Sequence, residues 1–154
     1  MAKNVKLVVP LVRQDRSMEC WYAAACMVRY YFEAGPRLGV PKAWVDNKGL
    51  PMADFATLAK NEHLVSVPFP SNKQWGQDDL AVVLETKGPI WAWGMWDGVS
   101  HIVVLTGVED GNIHYNDPSG PKRRTMTLAH FNAKLVRNYP SGSPSLMVAA
   151  ARSK

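Results

Sequence analysis

The feature that most limits what this chain can fold into is a change of hydrophobic period near its middle. Up to Gly88 the apolar residues recur at helical spacing, in MECWYAAACMVRYYF after Ser17, MADFATLAKNEH from Met52 and DDLAVVLETK. After Gly88 come PIWAWGMW, SHIVVLTGVE and NIHYND, runs rich in β-branched and aromatic residues and bounded by turn residues. Asp110 and Gly111, between the last two runs, form a dipeptide suited to a tight antiparallel hairpin. VKLVV at residues 5–9 reads as a short strand, TLAHFNAKLV as a further helix and SLMVAAA as a last strand. Helices first and antiparallel strands second predict an α+β domain in two packed layers. Residues 35–51, with their prolines and glycines, read as an irregular connection rather than a domain boundary. The 154 residues are read as one domain, 1–154.

The first helix is expected to be central and buried. Ser17 is a suitable N-cap, no Gly or Pro follows until Gly35, and Ala23, Ala24 and Ala25 let another layer approach closely. Trp21, Met27, Val28 and Tyr31 supply bulk on its flanks. Cys20 and Cys26 are the only cysteines. Six helical residues would hold their Cα atoms ~9 Å apart, beyond the ~7 Å a disulfide spans, so both are read as reduced. Without CxxC or HxxxH spacing, no metal site is indicated.

No apolar run approaches the ~20 residues of a membrane-spanning helix, and the apolar stretch in MAKNVKLVVP is too short for a secretory signal. The reading is a soluble protein, synthesised in the cytoplasm without a cleavable signal, with no membrane partner; export by a specialised system stays compatible with it. The net charge of +5 comes partly from Lys122, Arg123 and Arg124 beside Gly120 and Pro121. These read as a solvated basic turn. A nucleic-acid surface would want a longer basic stripe interleaved with aromatics, so no nucleic-acid partner is expected.

Cys20 falls in the first turn of the expected central helix, where unpaired N–H groups and the helix dipole favour a thiolate. Gln14, six residues upstream in a polar loop, can pair its amide with the Cys20 N–H as a two-donor oxyanion hole. His101 opens SHIVVLTG, and Asp117 lies at the end of NIHYND across the hairpin turn. The two arms differ in length, nine residues against six, so a bulge or neighbouring register is needed for the pair to meet. Asp117 would then fix the tautomer of His101 and stabilise an imidazolium beside a Cys20 thiolate.

The run VRQDRSMECWYAAACMV, then SHIVVLTGV, then YNDP, resembles the papain-like clan of cysteine peptidases. Within it, the chain is more similar to the compact bacterial branch than to cathepsins: effector peptidases of phytopathogens and bacteriocin-leader peptidases attached to transporters. The resemblance implies a papain-like fold, with the nucleophile on the central helix and the histidine and acid on the sheet. It also implies peptide-bond hydrolysis through a thioester acyl-enzyme, needing no metal or organic cofactor. Gln14 then matches the oxyanion glutamine, Cys20 the nucleophile, His101 the base and Asp117 the orienting acid. Trp21, directly after the nucleophile, and Trp96, in a turn just ahead of His101, are the candidate substrate contacts. By resemblance to the effector branch, the partners would be a protein or peptide substrate and an inhibitory immunity-type protein. With little chain ahead of Cys20 and no transporter segment, neither cathepsin-type zymogen control nor leader processing is expected.

Other residues have plainer readings. Cys26, mid-helix, reads as core, and His63 as a helix-end group. His130 has helical neighbours and no acid or thiol at a suggestive spacing. His114 is the rival base, but strand alternation sets it on the opposite face from Asp117. Asn116 is the rival orienter, since amides do that work in many papain-like enzymes. Trp91 and Trp93 read as core beneath the sheet. Two other functions use the same residues. One is a peptidoglycan amidase or an acyl-transferring or deamidating enzyme with the same Cys-His-Asp site; the other is a non-enzymatic binding domain presenting the tryptophans or the basic cluster.

Overall fold

The computed structural model describes residues 3–9, 11, 24, 25, 27, 28, 64–72, 74–120, 122–136 and 145–149. The described strands are β1 (Val5–Lys6), β2 (Leu64–Ser66), β3 (Ile90–Gly94), β4 (His101–Glu109), β5 (Asn112–Asp117), β6 (Lys122–Thr127) and β7 (Leu146–Ala149). They form one sheet in the order β2-β7-β3-β4-β5-β6, with β1 paired to the far end of β4, and every pairing is antiparallel. Two helices with described bounds, α1 (Gln77–Lys87) and α2 (Leu128–Lys134), complete the mixed α+β architecture expected from the sequence. The expected helix from Met52 and the connection over 35–51 lie outside the described residues.

β3 is buried along its whole length and β4 everywhere but its two end residues. Such strands do not alternate between core and solvent; they read as continuous apolar runs because both faces are covered. On one face, Ile90, Ala92, Val103 and Leu105 pack with Leu80, Ala81 and Leu84 of α1 and Phe131 of α2. On the other, Trp91, Trp93, Ile102 and Val104 share a cluster with Ala24, Ala25, Met27 and Val28, all helical. The small alanines and the two indoles together fill that face. The sheet is thus sandwiched between helical layers, rather than packed on one side as the two-layer expectation had it.

Local chemistry sets the boundaries. Asp110 and Gly111 both take positive φ, 49° and 81°, the left-handed backbone of the tight hairpin between β4 and β5. At the start of α1, Asp79 accepts a 2.9 Å bond from the Gly76 N–H, satisfying a donor that the helix leaves unpaired. Gln77, buried, donates to the Lys3 carbonyl and accepts from the Gly111 N–H at 2.7 Å, joining the N-terminus, α1 and the hairpin turn. The Thr127 side chain caps α2 by accepting from the His130 N–H.

β6 corrects one reading. Lys122, Arg123 and Arg124 lie in a strand, not a loop, and pair across to Asp117, Asn116 and Tyr115. The turn residues are Pro118 to Gly120. Charged side chains are normal on a strand at the sheet's edge, where they discourage pairing with other chains, and that composition looks like a loop when read linearly.

Candidate active site

His101 is the first residue of β4, and its place on the same face as Asp117 depends on a bulge. From the turn outward, Glu109 pairs with Asn112, Val108 with Ile113 and Gly107 with His114; the register then shifts, so that Leu105 pairs with Tyr115 and Val104 with Asn116. Thr106 is the extra residue. Continuing one step sets Asp117 opposite Val103, two residues from His101 and on the same face, a diagonal neighbour within reach of long side chains. With Thr106 paired in an unbulged ladder, Asp117 would fall opposite Val104, and its side chain would point away from His101.

The two side chains meet: His101 Nε2 lies 2.8 Å from Asp117 Oδ1. Asp117 is almost wholly enclosed, its side chain 4% exposed against 15% for His101. Its oxygens are fully engaged. Oδ1 also accepts the Ser119 N–H at 2.9 Å, and Oδ2 accepts from Arg124 at 2.9 Å. Burial by itself would raise the Asp117 carboxyl, but the bonds from His101, Ser119 and Arg124 outweigh it and hold it below the usual carboxylate range. An ionised Asp117 can only accept, so the proton of this bond sits on Nε2.

Arg124 and Asp97 were not among the sequence candidates. Arg124 stands opposite Tyr115, over its ring at 5.6 Å, and therefore on the same face as Asp117. Its second partner is Asp97, reached by Nη1 at 3.1 Å and Nη2 at 3.3 Å. The two carboxylates hold Arg124 even more firmly protonated than a free guanidinium. Burial raises the Tyr115 phenol, with Arg124 pulling the other way. The available sequence signal was PSGP between NIHYND and KRRTMT, a turn that makes residues 115 and 124 cross-strand partners.

Asp97 belongs to the turn that leads from β3 into His101, and that turn is held at several points. Met95 N–H donates to the Lys134 carbonyl, the Trp96 carbonyl accepts from His130 Nε2 at 2.8 Å, and Trp93 Nε1 donates to Ser100 Oγ at 2.8 Å. Trp96 stacks on Phe131, with ring centroids 5.6 Å apart. Gly94 is needed beneath it, because a Cβ there would come within 2.5 Å of the indole.

These contacts overturn one assignment. Trp96 was expected to edge a substrate cleft, but it is 2% exposed and part of the core. The turn residues WDG around it suggested solvent, whereas the indole folds under the turn onto α2. Trp91 and Trp93 are core, as read. His114 pairs with Glu109 at 3.2 Å, not with Asp117. Asn116 points to the opposite face, where it donates to the Val9 carbonyl at 3.2 Å. Gln14, Cys20, Trp21, Cys26 and His63 lie outside the described residues.

A family model described as papain-like cysteine protease AvrRpt2 matches residues 3–136. Among solved structures, the chain is similar to a double glycine motif protease from an AMS/PCAT transporter, crystallised in complex with the leader peptide. The likeness covers 94% of this chain and 92% of that one, with a TM-score of 0.51 and 17% sequence identity, and it bears on the fold.

Proposed function

We propose, for a chain that belongs to the papain-like cysteine protease AvrRpt2 family, that Cys20 is the nucleophile, His101 its proton-transfer partner, Asp117 the orienting acid and Gln14 an oxyanion donor. The protein is a cysteine peptidase. The observation that carries the assignment of roles is the 2.8 Å bond between His101 Nε2 and the enclosed, ionised Asp117.

Since Nε2 is committed to Asp117, Nδ1 is the nitrogen that exchanges a proton with the thiol. Its proton gone to Nδ1, the Cys20 sulfur attacks the scissile carbonyl carbon. The carbonyl oxygen becomes an oxyanion held by the Gln14 amide and the Cys20 N–H. Collapse breaks the C–N bond, and the Nδ1 proton leaves with the amine. Water, giving a proton to Nδ1, then attacks the thioester; the acid product departs and the thiol is restored. Asp117 keeps its charge throughout and compensates that of the imidazolium. Cys20 stands four residues ahead of Ala24 in the sequence, and Ala24 packs in the same cluster as Ile102, the neighbour of His101.

The substrate class is a protein or peptide, supported by a similar peptidase fold that was crystallised with a leader peptide. The reading extends to a bacterial effector or toxin, made without a cleavable signal, exported by a specialised system and accompanied by an inhibitory immunity-type protein. Trp21 is retained as a substrate contact beside Cys20.

The test needs no knowledge of the substrate. Iodoacetamide alkylation of each cysteine is followed by mass spectrometry at mildly acidic pH. Cys20 is expected to label rapidly and Cys26 slowly, with the Cys20 advantage lost in His101→Ala. Equal, slow labelling that ignores His101 would sink the assignment.

A further inference from the structure

We infer that Arg124 is a positioning residue for His101: it bridges Asp117 to Asp97, holding the orienting carboxylate in place and tying it to the turn that leads into the histidine. The inference rests on the catalytic roles proposed above. Asp117 sits at the end of β5, next to the Pro118–Gly120 turn, so β5 alone does not stop its carboxylate from rotating. Oδ2 is pinned by Arg124 while Oδ1 faces His101, and the planar guanidinium reaches Asp97 at the same time. Asp97 belongs to the segment running straight into His101, so one cation fixes both the acid and the backbone approach of the base.

The bridge also sets charge. Among the described residues, the charged and titratable groups around this cluster are Asp97 from the turn, Asp117 and Tyr115 from β5, Arg124 from β6, and exposed Lys122, opposite Asp117. Arg123 is turned to the other face, where it donates to the Val9 carbonyl, and His130 is engaged by the Trp96 carbonyl. Arg124 is therefore the cation directly between two carboxylates. Removing it leaves both acids with less compensation and makes the potential at the site more negative. A thiolate nearby becomes harder to form, and the midpoint of its formation moves to higher pH.

The experiment is the pH dependence of Cys20 alkylation by iodoacetamide in the wild type, Arg124→Met and Arg124→Lys, with thermal unfolding of each. In folded Arg124→Met the midpoint should rise by about one unit, which lowers the rate about tenfold at pH values below it. Arg124→Lys, keeping the charge but unable to grip both carboxylates, should fall between the two. A folded Arg124→Met with the wild-type midpoint overturns the inference, whether its rate is unchanged or uniformly lower. If Arg124→Met does not fold, Arg124→Lys decides: an intermediate midpoint supports the role, and a wild-type rate and midpoint overturn it. A wild type whose Cys20 labels no faster than Cys26 overturns the triad itself, and Arg124's role with it, before any Arg124 variant is read.

Discussion

Asp117 is a carboxylate held ionised inside the protein by three donors, and that has a pH signature. Its folded pKa is depressed, so the stability it contributes is present above the ordinary carboxylate value of about 3.9 and is lost as pH falls through the lower folded value. Asp117→Asn removes the titration. Chemical denaturation at a series of pH values should find the wild type more stable than Asp117→Asn at neutral pH, with the gap closing as pH falls below about 4. A gap unchanged down to pH 2 would show that the carboxylate is not held as described. Asn116 offers a control. On the opposite face and bonded to the Val9 carbonyl, it should be removable without changing the pH dependence of Cys20 alkylation.

At the scale of elements, the turn over residues 95–100 is the piece that aims His101, and it is built from packing rather than from turn propensity. Trp96 is its anchor. Trp96→Ala would empty a site that the structure cannot refill, at a cost of about 3–5 kcal/mol. Gly94→Ala would force a Cβ against the indole, at about 1–3 kcal/mol. Urea unfolding should rank the two in that order, and a Trp96→Ala variant of wild-type stability would refute the anchor. Much of this level was legible beforehand. The Asp110–Gly111 hairpin, α1 ending before Gly88, α2 and the last strand follow from turn residues and periodicity acting locally. β6 was missed because an edge strand rich in cations has the composition of a solvated loop. Trp96 was misplaced because a turn's backbone can lie near solvent while its side chain folds inward, which no local pattern encodes.

For the molecule as a whole, the covered sheet implies a gradient of stability. β3 and β4 are buried on both faces and flanked by strands, so their amides should exchange with solvent only on global unfolding, whereas those of β6 should exchange through smaller openings. Hydrogen exchange followed by mass spectrometry checks this; equal protection across the sheet would contradict it. The sequence by itself determined the α+β class and the hairpin, and narrowed the partner of His101 to Asp117 with Asn116 as its rival, because periodicity, turn chemistry and residue type are local properties carried by a few neighbouring positions. Which side chain at the end of β5 would face the histidine was decided only in three dimensions. Were the same residues of β4 paired without the bulge, Asn116 rather than Asp117 would share the face of His101, since each step of register turns a strand over. Thr106 at the bulge settles that choice, and Arg124, from the next strand, holds Asp117 in place. Both depend on how three strands align across the sheet, a relation between distant segments that only the assembled packing fixes.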